Sequence, residues 1–192
     1  MNIALLVLRL VPGVLFIGHG LQKLVPTRFS LPLLAAHGPR ATAAGFAQMG
    51  LAPALPLALL AALGEVGGGF LLAAGLVTPL ATALLAAVMT VAILVVHLRR
   101  GIWGANGGFE FPLLMLTAAY VVSALGGPGD YSLDNAFAIG NWAGIGWSAS
   151  EAVKAGAAVG AGAVAALLTL AFARAWARIG HSHHQAAPTP AA

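Results

Sequence analysis

The sequence predicts an all-α integral membrane protein, a bundle of four transmembrane helices with a fifth on the C-terminal side. Three observations predict it. Hydrophobic residues make up 60% of the 192 residues and charged ones only 7%, against about 25% in ordinary globular domains, so a water-facing surface could not be covered. The apolar residues collect in runs of the length a bilayer demands, about 20 per helix. The basic residues stand at the ends of those runs, the placement that the preference of Lys and Arg for cytoplasmic loops produces.

The first span covers residues 3–24. It has no basic n-region, carries Arg9 inside the apolar run and shows no small-residue cleavage site before Lys23, so it reads as a retained helix and not a secretory signal. The second span covers residues 54–77 and the third 80–98, with Pro79 placed to open it. The fourth follows Glu110 and ends near Leu125, which is short unless Gly107 and Gly108 are drawn in. The fifth, residues 153–173, is rich in Ala and Gly. Glycines crowd the second span (Gly64, Gly67, Gly68, Gly69) and the fifth (Gly156, Gly160, Gly162). They would weaken a helix in water, but in lipid they let backbones approach, and Gly156 with Gly160 has the small-xxx-small spacing that suits helix packing or a homo-oligomer contact. Between the spans, residues 28–53 are expected to hold a short interfacial helix over 41–49. Residues 126–150 read as a turn followed by Tyr131, Trp142 and Trp147 at the water boundary. The domain reading is a four-helix membrane domain over 1–137, an extension with the fifth helix over 138–180, and a disordered His-containing tail over 181–192.

Alternating spans bring Lys23, Arg28, Arg40, Arg99, Arg100, Arg174 and Arg178 to one side, and Lys154 with Asp130, Asp134 and Glu151 to the other. With five spans this predicts an external N-terminus and a cytoplasmic C-terminus. The net charge of +4 is spread over helix ends and not clustered on one face, so no nucleic-acid partner is expected. The absence of cysteine excludes disulfides and thiolate chemistry. No nucleophile elbow, phosphate-binding glycine loop, zinc-protease pair or dinucleotide fingerprint occurs, so no catalytic set is assigned.

Ionisable residues inside spans carry the information, since each costs about 2.5–3.5 kcal/mol at a helix centre. Arg9 and Glu65 are the two such residues nearest the middle of a span, and they are expected to pair as an intramembrane polar network, either as a register-fixing ion pair or as a protonation or ligand centre. A second group, His19, Gln22, Lys23, His97 and Glu110, gathers at one membrane boundary. His19 and Lys23 share a helix face, and Arg9, Gly13, Phe16, Gly20 and Lys23 form one stripe. Two readings stand for this group: an interfacial ion-pair network with Lys23 snorkelling to water, or a small polar pocket for a quinone or other amphipathic ligand. The spacing of His19, His97 and Glu110 is not a metal motif, and no metal or haem is assigned. His181, His183 and His184 read as a solvated basic tail.

Taken in order, these segments resemble the DoxX family of small bacterial membrane proteins. Its marks are Arg9-Leu-Val-Pro-Gly13, His19-Gly-Leu-Gln-Lys23-Leu24, Gly45-Phe-Ala-Gln-Met-Gly-Leu51, Glu65 with Gly67 to Gly69, Gly75-Leu-Val-Thr78, Val96-His97-Leu98, Gly108-Phe-Glu110-Phe-Pro112 and Gly127-Pro-Gly-Asp-Tyr131-Ser-Leu-Asp134. The resemblance runs to about residue 137 and implies a four-helix core in a bacterial plasma membrane, with Arg9, His19, Lys23, Glu65 and Glu110 at positions typical of the family. Thr78-Pro79 departs from it, standing where relatives often carry a basic residue. Because the family is similar to thiosulfate:quinone oxidoreductase subunits, the resemblance implies an accessory or anchoring subunit that contacts quinone beside a redox-protein partner. Two alternatives stay open: a small transporter with Glu65 as a proton-sensitive centre, and a quinone-linked oxidoreductase subunit.

Overall fold

The structure is a computed structural model that describes residues 2–29, 31–125, 127–139 and 150–185, with side chains to Ile179. It is helical throughout, with no strand among the described residues. The elements are α1 (Asn2–Leu24), α2 (Gly38–Gln48), α3 (Ala54–Ala74), α4 (Thr78–Ala92), α5 (Glu110–Ala124), α6 (Leu133–Ala136) and α7 (Glu151–Gln185). Helix α4 continues through a π-helical turn, Ile93–His97, and a 3-10 turn, Leu98–Arg100. Four helical segments are long and apolar enough to cross a membrane: Asn2–Leu24, Ala54–Ala74, Thr78–Arg100 and Glu151–Ile179. Their outward residues, such as Val7, Leu63, Leu80 and Leu168, are large, apolar and exposed, which only lipid makes cheap.

Helix α5 is the short one. At 15 residues it rises about 22 Å, less than the roughly 30 Å hydrocarbon core. Gly107 and Gly108 do not extend it. Gly107 holds a φ of +73° as the cap of a preceding 3-10 turn, and Gly108 lies so close to Gly101 that a Cβ would stand 2.3 Å from its carbonyl oxygen. The C-terminal helix, by contrast, is one of the long ones. A helix stands where a short interfacial one is expected over 41–49: α2 runs from Gly38 to Gln48, opened by Pro39 near its N-terminus. Helix α7 runs to Gln185; Trp142 and Trp147 and residues 186–192 lie outside the described residues.

Helix α1 packs antiparallel on α3, and glycine makes the contact. A Cβ on Gly13 would meet the Gly69 carbonyl oxygen at 2.7 Å, and one on Gly69 would meet that of Gly13 at 2.7 Å. Only backbones without side chains come this close. Farther along, Gly20 faces Ala62 and Val66. Phe16, Leu72, Leu85, Met89 and Val122 then build a core shared by α1, α3, α4 and α5. Helix α7 lies on α4 and α5, entering the contact through Gly162, whose Cβ would stand 2.2 Å from the Ala83 carbonyl oxygen. Gly156 and Gly160 have nothing within 4 Å, so the small-xxx-small pair faces away from the bundle.

A loop closes the end where α1 begins. Asp134 accepts from the backbone N–H of Val77 at 2.8 Å and from the Thr78 hydroxyl at 3.3 Å, capping α4 from outside the helix. At the other end, Leu51 and Leu57 pack against Leu170 and Ala173 of α7, so α7 traverses the height of the bundle.

Candidate functional site

Glu65 sits on α3 with 5% of its surface exposed. A carboxylate that deep needs a counter-charge, and Lys23 supplies it: Nζ lies 2.5 Å from Glu65 Oε2. Lys23 is the last residue but one of α1, yet its ammonium folds back along the helix, donating also to the His19 carbonyl at 3.0 Å. The lysine therefore reaches inward. It does not snorkel to the boundary as one reading of the sequence had it.

The expected Arg9–Glu65 pair is not formed, and the glycine contacts give the reason. With Gly13 against Gly69 and Gly20 against Ala62 and Val66, Glu65 stands across from His19 and Gly20, while Arg9 lies beside Gly75. About 15 Å of helix rise separates Arg9 from His19, more than a guanidinium arm covers. Gly75 closes α3 in the left-handed region at φ +63° and leaves room for Arg9, since a Cβ there would overlap Nη1. Arg9 is 2% exposed. Its Nη2 donates to the Tyr131 carbonyl, and Asp134 supplies the opposing charge, while Nε and Nη1 have no hydrogen-bond partner among the described residues. The polar network of the sequence reading is thus two centres, one at each level of the bundle.

The Lys23–Glu65 pair borders a cavity of about 450 Å³. Of the boundary group, His19, Lys23 and His97 line it, with Phe111, whose ring meets His19 edge-on at 5.7 Å between centroids. Gln22 stands behind His19, its Oε1 3.2 Å from Nδ1. Glu110 turns away: its Oε2 accepts from the Gly104 backbone N–H at 2.7 Å, tying down the loop ahead of α5. The π-helical turn at Ile93–His97 re-aims the end of α4 and brings His97 Nδ1 to 2.7 Å from the Gly107 carbonyl. Apart from Thr169, whose hydroxyl donates to the Ala165 carbonyl at 2.8 Å, the rest of the lining is apolar, with Leu57 and Ala61 from α3, Val91 from α4 and Leu170 from α7.

Polar residues that the sequence reading passed over are Asp134 as the cap of α4, and Thr82 with Ser123, both fully buried, whose hydroxyls lie 2.7 Å apart between α4 and α5. Their signal was hydroxyl side chains inside apolar spans, which in lipid find partners on neighbouring helices. Among the described residues no group of three or more His, Asp or Glu side chains could hold a metal ion.

Arg9, His19, Lys23, Glu65 and His97 all fall within residues 4–98, the stretch that matches the DoxX family profile. Glu110 and α5 to α7 lie beyond it. No curated protein and no solved structure matches the chain.

Proposed function

Through residues 4–98 the chain belongs to the DoxX family, and from that premise we propose that it is an accessory or anchoring subunit of a redox-linked complex in the bacterial plasma membrane, one that contacts quinone through the cavity beside Lys23 and Glu65. The observation that carries the reading is the cavity itself. At about 450 Å³ it is in the range of small-molecule sites, which are mostly apolar with a few placed polar groups. Lys23, Glu65 and His19 lie together on its wall and its apolar side chains come from α3, α4 and α7, a division that suits an amphipathic molecule. A quinone ring would meet Lys23 and the two imidazoles, with its chain along Leu57, Val91 and Leu170.

The sidedness of Lys and Arg supports an external N-terminus and a cytoplasmic C-terminus, with the cavity nearer the cytoplasmic face. Purification from bacterial membranes in mild detergent, followed by solvent extraction and mass analysis of both lipids and co-purifying proteins, tests this. Expected is a quinone retained through the final column together with a redox-active partner. A protein that is always alone and yields no quinone would overturn the proposal.

A further inference from the structure

Two imidazoles line the cavity, and each already has one ring nitrogen committed. His97 Nδ1 lies 2.7 Å from the Gly107 carbonyl oxygen. A carbonyl only accepts, so Nδ1 carries the hydrogen and, in the neutral ring, Nε2 is left as a bare acceptor. His19 Nδ1 lies 3.2 Å from Gln22 Oε1, which commits that ring in the same sense. Glu65 adds a third acceptor. Its Oε2 is taken by Lys23, while its other oxygen receives no hydrogen bond from a described residue. Against these three acceptors stands one spare donor, since Lys23 already gives two of its three N–H bonds, to Glu65 and to the His19 carbonyl.

These acceptors face the cavity, and the rest of its wall offers them no donor, Thr169 giving its hydroxyl hydrogen to the Ala165 carbonyl; a ligand that covers them without supplying a donor leaves them unpaired, which is costly. We infer that the cavity takes a membrane-soluble amphiphile whose head is a hydroxyl donor, a phenol or hydroquinone, in preference to one whose head only accepts, such as an ether or a quinone. The inference rests on the reading of the cavity as a ligand pocket. Within a quinone pool it selects the reduced form. It also disfavours carboxylate and phosphate heads, because Glu65 has neutralised Lys23 and a further anion would be buried unpaired. The chain of the ligand has room to extend, for the lining follows α4 and its continuation from Leu84 to His97, about 20 Å of helix rise.

A matched pair of probes free of redox chemistry tests this: radiolabelled para-decylphenol and its methyl ether, titrated onto the full-length chain in nanodiscs at about pH 8.5, above the ordinary histidine range, with empty nanodiscs subtracted. The phenol is expected to bind about 10-fold more tightly than the ether, the factor one added hydrogen bond of ordinary strength supplies. His97→Phe is expected to narrow that gap to about 2-fold while leaving the ether unchanged. Equal affinity for the two probes would overturn the donor-head inference and leave the pocket standing. Binding of neither would overturn the pocket reading as well. A gap that survives both His97→Phe and His19→Phe would overturn the assignment of the imidazoles as acceptors. Should these variants fail to fold, the phenol-to-ether ratio of the unaltered protein decides.

Discussion

Lys23 and Glu65 were both visible in the sequence as polar groups in an expensive place, but not as each other's partner. Helical spacing within α1 puts His19 and Lys23 on one face. It says nothing about how far α1 slides along α3, and the slide decides which charge meets Glu65. That offset is set by Gly13 on Gly69, a contact between backbones that no side-chain pattern announces. The consequence is testable at the same scale. Glu65→Gln leaves the Lys23 ammonium half-buried and uncompensated, and is expected to lower unfolding stability in detergent by about 1–3 kcal/mol, below the usual cost of breaking a fully buried pair because Lys23 keeps some contact with its surroundings. Replacing both residues by Met is expected to recover most of that loss. A folded Glu65→Gln protein of unchanged stability that has lost a pH-dependent flux would instead favour the transporter alternative. At the opposite end, Asp134→Ala removes the acceptor for the first N–H groups of α4 and leaves the buried Arg9 without its opposing charge, so it is expected to cost more by thermal unfolding than the loss of a cap alone, about 1–2 kcal/mol.

Among the elements, the long apolar runs were legible because lipid imposes one length and one pattern on every spanning helix. A helix between the first two spans was legible too, expected over 41–49, while its start at Gly38 with Pro39 in the first turn lies three residues ahead of that expectation. The fourth span was harder. The sequence left open whether Gly107 and Gly108 would join it, and they form a turn because one holds a positive φ and the other is pressed against Gly101. The glycines of α7 show the same limit: their spacing shows that a close approach is available, not which glycine makes it. Gly162 lies on α4, whereas Gly156 and Gly160 meet nothing within 4 Å. Gly162→Leu is therefore expected to lower the thermal midpoint sharply, in line with overpacking costs of about 1–3 kcal/mol or more. Gly160→Leu is expected to leave the midpoint of the monomer within the range of ordinary surface changes, about 0.5 kcal/mol.

For the molecule as a whole, composition alone announced the solvent. With charge at 7% and large apolar side chains exposed along four long helices, lipid is the environment in which this surface is at rest. What composition could not announce is the gap that α7 helps to enclose, because the cavity is the space left between α3, α4 and α7, with Leu57, Val91 and Leu170 among the side chains that line it. The sidedness of Lys and Arg adds a prediction: a reporter fused after Ile179 should be cytoplasmic, and external labelling there would reverse the proposed orientation. The central claim, however, is that the space beside Lys23 and Glu65 is kept for a ligand. Ala61 lines it and is only partly buried, so Ala61→Phe fills the space from one wall with little disturbance to the core. Equilibrium binding of a short-chain quinol to the purified protein in nanodiscs, measured for the unaltered chain and for Ala61→Phe at matched thermal stability, is the direct measurement. Saturable binding that falls at least about 10-fold in Ala61→Phe, a change of about 1.4 kcal/mol, is the predicted result; binding that is absent in both, or equal in both, would contradict it.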